Sequence, residues 1–330
     1  MARRALMSLA LWAMTVVGGA CGVAPAVADP QPFAAWLADL RQEAVNDGIP
    51  AATVDQALQG LQPIPRVLEL DRQQPEFTLT LADYLSRVVS PERVARGRQM
   101  LQENRSLLNA VGKAYHVQPR FIVALWGIES GYGHATGGFN VIASLATLAY
   151  DGRRSAYFRS ELLDALKIID QDKIAPEAMT GSWAGAMGQC QFMPSSFLRY
   201  AVDFDGDGRR DLWHSKADVL ASAANYLGQF GWRDDETWGR PVRIPARFDM
   251  AKADPKVEKS VADWRAEGLR RIDGGVLPAR AGLTGSLLLP EAGGSSAYLV
   301  YSNFRAILKW NRSNFFGIAV GTLADRIADQ

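Results

Sequence analysis

The sequence predicts a mainly α-helical protein with a small β-containing part (α+β). Three observations carry this. Apolar residues recur at helical spacing from Pro32 to about Gly112, an almost wholly apolar helix spans Arg120 to Ser130, and short apolar runs divided by Gly and Pro follow Trp238.

In chain order, Arg3 and Arg4 precede an uncharged, largely apolar stretch that ends in Ala26-Val27-Ala28 before Asp29. A positive start, an apolar middle and small residues at an A-x-A site predict a signal peptide over residues 1–28, cleaved near Ala28. Two other readings of the stretch stay open: an uncleaved membrane anchor and a lipid-modified Cys21, although Val17-Gly18-Gly19-Ala20 lacks the usual Leu. Phe33, Trp36, Leu37 and Leu40 then share a helical face, and Val94, Leu101, Leu108 and Val111 continue the pattern. Asp47-Gly48-Ile49-Pro50 and Leu61-Gln62-Pro63 interrupt it. The apolar run Phe121 to Ile128 belongs to a core helix, because it has no polar side to give to water. Further helices fit Ser155–Ile168 and Ala217–Phe230. Val242–Ile244, Gly285–Leu289 and Ala297–Tyr301 read as strands, and Phe304–Trp310 and Phe315–Ile327 return to helix.

Of the 330 residues, 48% are hydrophobic and 22% charged, the composition of an ordinary folded protein. The 36 basic and 35 acidic residues leave a formal charge of +1, without the basic excess of a charge-driven nucleic-acid binder. Losing residues 1–28 removes two arginines and no acids, for a mature charge of −1. It also removes Cys21, leaving Cys190 as a lone thiol with no internal disulfide partner. The isolated His116, His134 and His214 give no zinc motif, and there is no G-x-S-x-G, P-loop or G-x-G-x-x-G.

Three clusters carry chemistry. Glu129 lies at the end of the apolar helix, in Gly127-Ile128-Glu129-Ser130-Gly131-Tyr132-Gly133. Loss of hydration there favours the protonated carboxyl that a general acid needs, while a structural Glu satisfied by an Arg or by backbone amides is the plainer alternative. The second cluster is Ser182-Trp183 with Gly185-Ala186-Met187-Gly188-Gln189-Cys190-Gln191-Phe192-Met193-Pro194. Glycines such as Gly188 admit a ligand to the backbone, and Gln, Phe and Met offer hydrogen bonds and a flat wall to a sugar; a tight helix crossing would gather similar residues. The third is Asp203-Phe204-Asp205-Gly206-Asp207-Gly208-Arg209-Arg210-Asp211. Oxygen ligands at positions 1, 3, 5 and 9, Gly at 6 and the Arg209 carbonyl at 7 fit an EF-hand calcium loop. His214 stands where the bidentate Glu is expected, and Asp218 offers to close a longer loop. A solvated Asp-Gly turn is the alternative.

Taken in order, Glu129-Ser130-Gly131-Tyr132-Gly133, Ser182 to Gly188, Gln191 to Ser196, Ala201 to Gly208, Ala224-Asn225-Tyr226-Leu227 and Trp310-Asn311-Arg312-Ser313 resemble the lytic murein transglycosylase B family, of glycoside hydrolase family 103 type. The resemblance implies a lysozyme-like helical core with an EF-hand-like loop. It implies cleavage of the MurNAc-β-1,4-GlcNAc bond of peptidoglycan, leaving 1,6-anhydro-MurNAc ends, with Glu129 as the single general acid and base. Ser182, Gln191 and Tyr226 would line the sugar subsites, Phe192 and Met193 would form walls, and Asn225 would brace the Glu or bind an acetamido group. Trp310 and Phe316 stand where the family has aromatics, often tyrosines. Asp203, Asp205, Asp207, Arg209, Asp211 and Asp218 would hold a structural Ca2+, with no cofactor for catalysis.

The expected organisation is a signal peptide (1–28), a helical N-terminal region (29–118), a lysozyme-like catalytic core (119–240), a small β-containing subdomain (241–302) and a helical segment returning to the core (303–330). The expected setting is a periplasmic monomer acting on peptidoglycan glycan strands. No nucleic-acid partner is expected, and any cell-wall synthesis or division partner is not identified. Two alternatives remain. A hydrolytic muramidase would need a second carboxylate, with Asp151 and Glu161 as candidates, and a non-catalytic peptidoglycan-binding scaffold would need no Glu129.

Overall fold

Helix starts are written plainly into this chain. Thr80, Ser90, Asn140 and Ser260 each accept a hydrogen bond from the backbone N–H three residues on, satisfying donors that the first helical turn leaves open. The computed structural model describes residues 31–73, 79–278, 280–291, 293–294 and 296–328; the expected signal peptide lies outside them. In chain order come α1 (Phe33–Asn46), α2 (Ala51–Leu58), α3 (Pro65–Arg72), α4 (Leu81–Val88), α5 (Pro91–Glu103), α6 (Arg105–Tyr115) and α7 (Pro119–Ser130). Strand β1 (Phe139–Asn140) leads into α8 (Val141–Tyr150) and α9 (Ser155–Asp172), followed by β2 (Thr180–Gly181), α10 (Pro194–Tyr200) and α11 (Lys216–Gln229). The remainder comprises β3 (Gly239–Arg243), β4 (Glu258–Ser260), α12 (Val261–Ala266), β5 (Arg270–Arg271), β6 (Thr284–Leu288), β7 (Tyr298–Val300), α13 (Ser302–Trp310) and α14 (Asn314–Ala328).

The chain forms two compact units, and α7 and α11 carry residues of both. The first takes the described residues up to 76 together with Glu129–Ser222. Its centre is the α8–α9 pair, onto which α2, α3 and α10 pack. Helix α8 is buried along nearly its whole length, and Phe158, Leu162, Leu166 and Ile169 supply the facing stripe of α9. Buried Asp71 ties α3 down through Arg154 at 2.5 Å.

The second unit takes the described residues of 77–128 and 223–330. Here α14 packs on α4, α5 and α13, and Asp325 accepts from both Arg120 (3.0 Å) and the Trp238 indole (2.9 Å). Its sheet is antiparallel throughout, in the order β4-β6-β7-β3-β5. Trp264, Leu269, Leu287, Leu299 and Tyr301 fill the core of this part. The Trp264 indole donates to the Gly285 carbonyl at 2.8 Å, so the largest ring in this core leaves no buried donor open.

The predicted helices over Arg120–Ser130, Ser155–Ile168, Ala217–Phe230, Phe304–Trp310 and Phe315–Ile327 correspond to α7, α9, α11, α13 and α14. The strand expected at Val242–Ile244 begins earlier, at Gly239, because its pairing with β7 runs from Gly239 to Pro241. Among the described residues no helix is long and apolar enough to cross a membrane.

Candidate active site

Glu129 is the second-last residue of α7, with Pro119 at the first position of that helix. The residues before it, Phe121 to Trp126, are at most 3% exposed, and Glu129 itself is 6% exposed. The helix ends abruptly because Gly131, Tyr132 and Gly133 all take the left-handed conformation, at φ 57°, 62° and 85°. For Tyr132 this is a rare state, sustained where its surroundings over-determine it. The Ser130 hydroxyl accepts from the Gly133 N–H at 3.0 Å, and the Ser130 carbonyl from the Ala135 N–H at 2.8 Å.

Gly133 serves a second purpose. A Cβ there would lie 2.4 Å from the Gln189 side-chain oxygen. Gln189 is in turn locked, donating its side-chain amide to the Trp213 carbonyl and its backbone N–H to the Leu212 carbonyl, both at 2.8 Å. The turn after Glu129 therefore rests on the 181–192 segment. That segment folds on itself: Met187 and Phe192 exchange backbone hydrogen bonds, and Ser182 bonds Ala186 through its own N–H (2.8 Å) and by accepting the Ala186 N–H at its hydroxyl (3.0 Å). Gly188, at φ 61°, leaves no room for a side chain, since a Cβ would sit 2.5 Å from the Leu212 carbonyl.

Gln191, also left-handed at φ 51°, donates its side-chain amide to the carbonyls of Thr136 (3.0 Å) and Gly188 (2.9 Å). Phe192 and Met193 are 2% and 5% exposed, and the buried Cys190 thiol donates to the Val219 carbonyl at 3.1 Å. The first unit thus joins the Glu129 turn, Ser182, Gly188, Gln191, Phe192 and Met193 in one frame. The frame is made of backbone and neutral side-chain hydrogen bonds.

The remaining residues expected to contact sugar belong to the second unit. The Tyr226 hydroxyl donates to the Lys309 carbonyl at 2.6 Å, and its ring meets Trp310 edge-on at 4.8 Å. Asn225 is partly exposed and accepts from Gln229 at 3.4 Å, whereas Phe316 is 3% exposed and part of the α14 core.

The aspartate loop is wired by carboxylates. Asp203 accepts from the N–H groups of Gly206 (2.7 Å), Asp207 (3.2 Å) and Gly208 (2.8 Å). Asp218, at the start of α11 and wholly buried, accepts from the N–H groups of Phe204 and Asp211, each at 2.8 Å. Burial pushes its carboxyl above the ordinary aspartate range, those two hydrogen bonds oppose the shift, and the neighbouring Asp205 and Asp203 charges add to it. Oxygens of Asp203, Asp205 and Asp218 lie within 4.8 Å of one another, a hard-donor set suited to a divalent cation. Asp207 instead faces the Arg209 guanidinium at 3.2 Å. Asp211 accepts from the N–H groups of Trp213 (2.8 Å) and His214 (2.9 Å).

Both carboxylates considered for a hydrolytic partner are engaged elsewhere. Asp151 pairs with Arg72 at 2.7 Å. Glu161 accepts from the Ser195 N–H (2.9 Å) and hydroxyl (2.7 Å), fastening the start of α10 to α9. Burial raises the pKa of Glu161 above the usual glutamate range, against the lowering effect of the Ser195 bonds. The sequence pattern offers Gln189 to a ligand rather than to the turn after Glu129, and it gives no sign that Asp172 pairs with Arg210, whose guanidinium bonds it at 2.9 and 2.6 Å across 38 residues. A glutamine between Gly188 and Cys190 was the one available hint of contact with that turn.

The chain matches the model of the transglycosylase SLT domain over residues 32–325. It is 32% identical over 252 residues to the membrane-bound lytic murein transglycosylase B of Escherichia coli, an alignment covering 74% of this chain and 66%, just under two thirds, of that protein's length. SltB3 from Pseudomonas aeruginosa, solved in complex with NAG-anhNAM-pentapeptide, superposes with a TM-score of 0.87 at 47% identity, covering 89% of this chain and 79% of that one. The Escherichia coli lytic transglycosylase Slt35, solved in complex with calcium, superposes with a TM-score of 0.75 at 30% identity, covering 88% of this chain and 92% of that one.

Proposed function

The chain belongs to the transglycosylase SLT domain family, and from that premise we propose that it cleaves the MurNAc-β-1,4-GlcNAc bond of peptidoglycan, leaving 1,6-anhydro-MurNAc ends, with Glu129 as single general acid and base. The observation that carries the reading is the position of Glu129: a buried carboxyl at the end of an apolar helix, followed by a turn held by Ser130, Gly133 and Gln189.

In the first step the Glu129 carboxyl protonates the glycosidic oxygen as the bond from C1 to that oxygen breaks, and the muramic 2-acetamido group steadies C1. The Glu129 carboxylate then takes the proton of the muramic C6 hydroxyl, whose oxygen bonds to C1. One proton has moved from O6 to the leaving oxygen, and no water is consumed. A single carboxyl serves both steps, whereas most glycoside hydrolases use a pair. The engagement of Asp151 and Glu161 with Arg72 and Ser195 favours this over hydrolysis.

Within the proposal, the candidates for sugar binding are Ser182, Gly188, Gln191, Phe192 and Met193 in the first unit, and, taken separately, Asn225, Tyr226, Trp310 and Phe316 in the second. The proposed organisation takes 119–240 as the catalytic region, 29–118 as a helical region, 241–302 as a β-containing subdomain and 303–330 as a C-terminal helical segment. The aspartate loop holds a structural Ca2+ through Asp203, Asp205 and Asp218, with Asp207, the Arg209 carbonyl and Asp211 completing the EF-hand pattern. The ion's contribution is to neutralise carboxylates gathered beside α11. Export to the periplasm through residues 1–28, and action there as a monomer on glycan strands, complete the reading.

The test is mass analysis of fragments released from purified sacculi. Products one water lighter than hydrolysis products are expected, and reducing ends would refute the mechanism.

A further inference from the structure

Glu129 and Ser182 lie on different stretches of the first unit, the carboxyl at the end of α7 and the hydroxyl just beyond β2. A reaction that uses both must hold the two stretches in register. Trp213, a half-buried residue, is bonded towards each of them. Its carbonyl accepts the Gln189 side-chain amide at 2.8 Å, and its indole N–H donates to the Thr180 carbonyl at 2.7 Å.

The first arm leads to Glu129. The two ends of a planar amide point apart, so fixing the Gln189 nitrogen on Trp213 fixes its oxygen, and that oxygen is what a Cβ at Gly133 would meet at 2.4 Å. Gln189 cannot withdraw, because its own backbone N–H is held by the Leu212 carbonyl at 2.8 Å and the residue is 9% exposed. The turn that closes the Glu129 helix therefore leans on a wall whose direction Trp213 sets.

The second arm leads to Ser182. Thr180 and Gly181 pair with Asn140 and Phe139, a ribbon of two residues a side that is too short to hold its own register. The indole adds a bond from outside the ribbon, one residue before Gly181, which is pressed so closely on the Ala186 carbonyl that a Cβ would lie 2.2 Å from it. The Trp213 ring is itself set against Phe197 of α10, with centroids 6.3 Å apart, so its direction does not depend on the N–H alone.

We propose that Trp213 is a two-armed positioning residue. Through Gln189 it sets where the Glu129 carboxyl stands, and through Thr180 it sets where the Ser182 hydroxyl stands. In this role neither Trp213 nor Gln189 touches the substrate. The inference rests on the transglycosylase reading and adds to it a division of labour, the Gln189 arm serving proton transfer and the Thr180 arm serving the hold on the sugar.

The test is steady-state kinetics of the full-length protein on the tetrasaccharide (GlcNAc-MurNAc)2. Gln189→Met keeps the side-chain length and removes the donor to Trp213; kcat should fall about 10–100-fold, the effect of moving a catalytic group by about 1 Å, with KM within about twofold of the wild type. Gln189→Glu should do the same. Trp213→Phe keeps a ring against Phe197 and removes the indole N–H; KM should rise about fivefold, the worth of one hydrogen bond, with kcat within about twofold. A thermal melt confirms that each variant is folded. Slow exchange of the Trp213 indole N–H in the wild type, read by NMR, tests the second arm without any substitution. An unchanged kcat in Gln189→Met, the same split in both arms, kcat and KM worsening together as a loss of folded protein would make them, or a freely exchanging indole N–H would overturn the proposal. Failure of the underlying reading is seen separately, as reducing ends in the products released by the wild type.

Discussion

The frame around Glu129 and the aspartate loop lie in the same unit and are built on opposite principles. The frame from Gly131 to Phe192 is buried and neutral. Its geometry comes from backbone hydrogen bonds, left-handed residues and two glycines pressed against neighbouring atoms. The loop from Asp203 to Asp211 is mostly exposed and charged, and turns around carboxylates that accept its own N–H groups. One region is complete as folded. The other collects like charges that a cation would relieve. Catalytic geometry is therefore expected to depend on steric fit, and the stability of the loop on an ion.

The largest effect that would break this contrast is at the carboxyl itself. Glu129→Gln should lower fragment release from sacculi by about 10²–10⁴-fold, the usual worth of a general acid or base, with glycan binding retained. Retained turnover would remove Glu129 from its role. Next comes the frame: Gly188→Ala places a methyl against the Leu212 carbonyl at a positive φ and should cost on the order of 1–3 kcal/mol, read as a lower denaturant midpoint. A neutral result would mean that the frame yields easily.

For the loop, the melting temperature should rise with calcium and fall on chelation, a ligand at 100 times its Kd being worth about 2.7 kcal/mol. Asp218→Asn should blunt that response while leaving the amide-exchange protection of Gln191 intact. Loss of protection at Gln191 would show that the two regions are one cooperative element. The smallest effect concerns Glu161. Its folded pKa is raised, so its contribution to stability is fully present below the ordinary glutamate range and declines as pH rises through the folded value. Glu161→Gln should flatten this part of the stability–pH curve, and an unchanged curve would place the titration elsewhere.

The same contrast explains what could be read from the sequence. Helix α7 was legible because an apolar run of its length has one natural home, and α9, α11 and α14 because their polar faces keep the helical period. Helix α8 is harder to read: Ser144 and Thr147 break its apolar run, yet both are buried, so it shows neither the unbroken apolar run of α7 nor a polar face at helical period. Strands β4 and β5, three and two residues long, exist through their pairing with β6 and β3, which no local pattern encodes. At the site, Asp203 and Asp205 announced themselves by spacing. The role of Gln189 depends on a carbonyl 24 residues away and on the missing side chain of Gly133, and such a contact has no sequence period.

Cys190 carries a practical consequence. Its thiol sits inside the frame, 3% exposed and bonded to the Val219 carbonyl of α11. A maleimide or disulfide reagent reaches it when α11 and the 188–192 segment part, so its labelling rate is a clock for the opening of that region. One native atom thereby offers a way to time how often the frame around Glu129 comes undone, with no residue substituted.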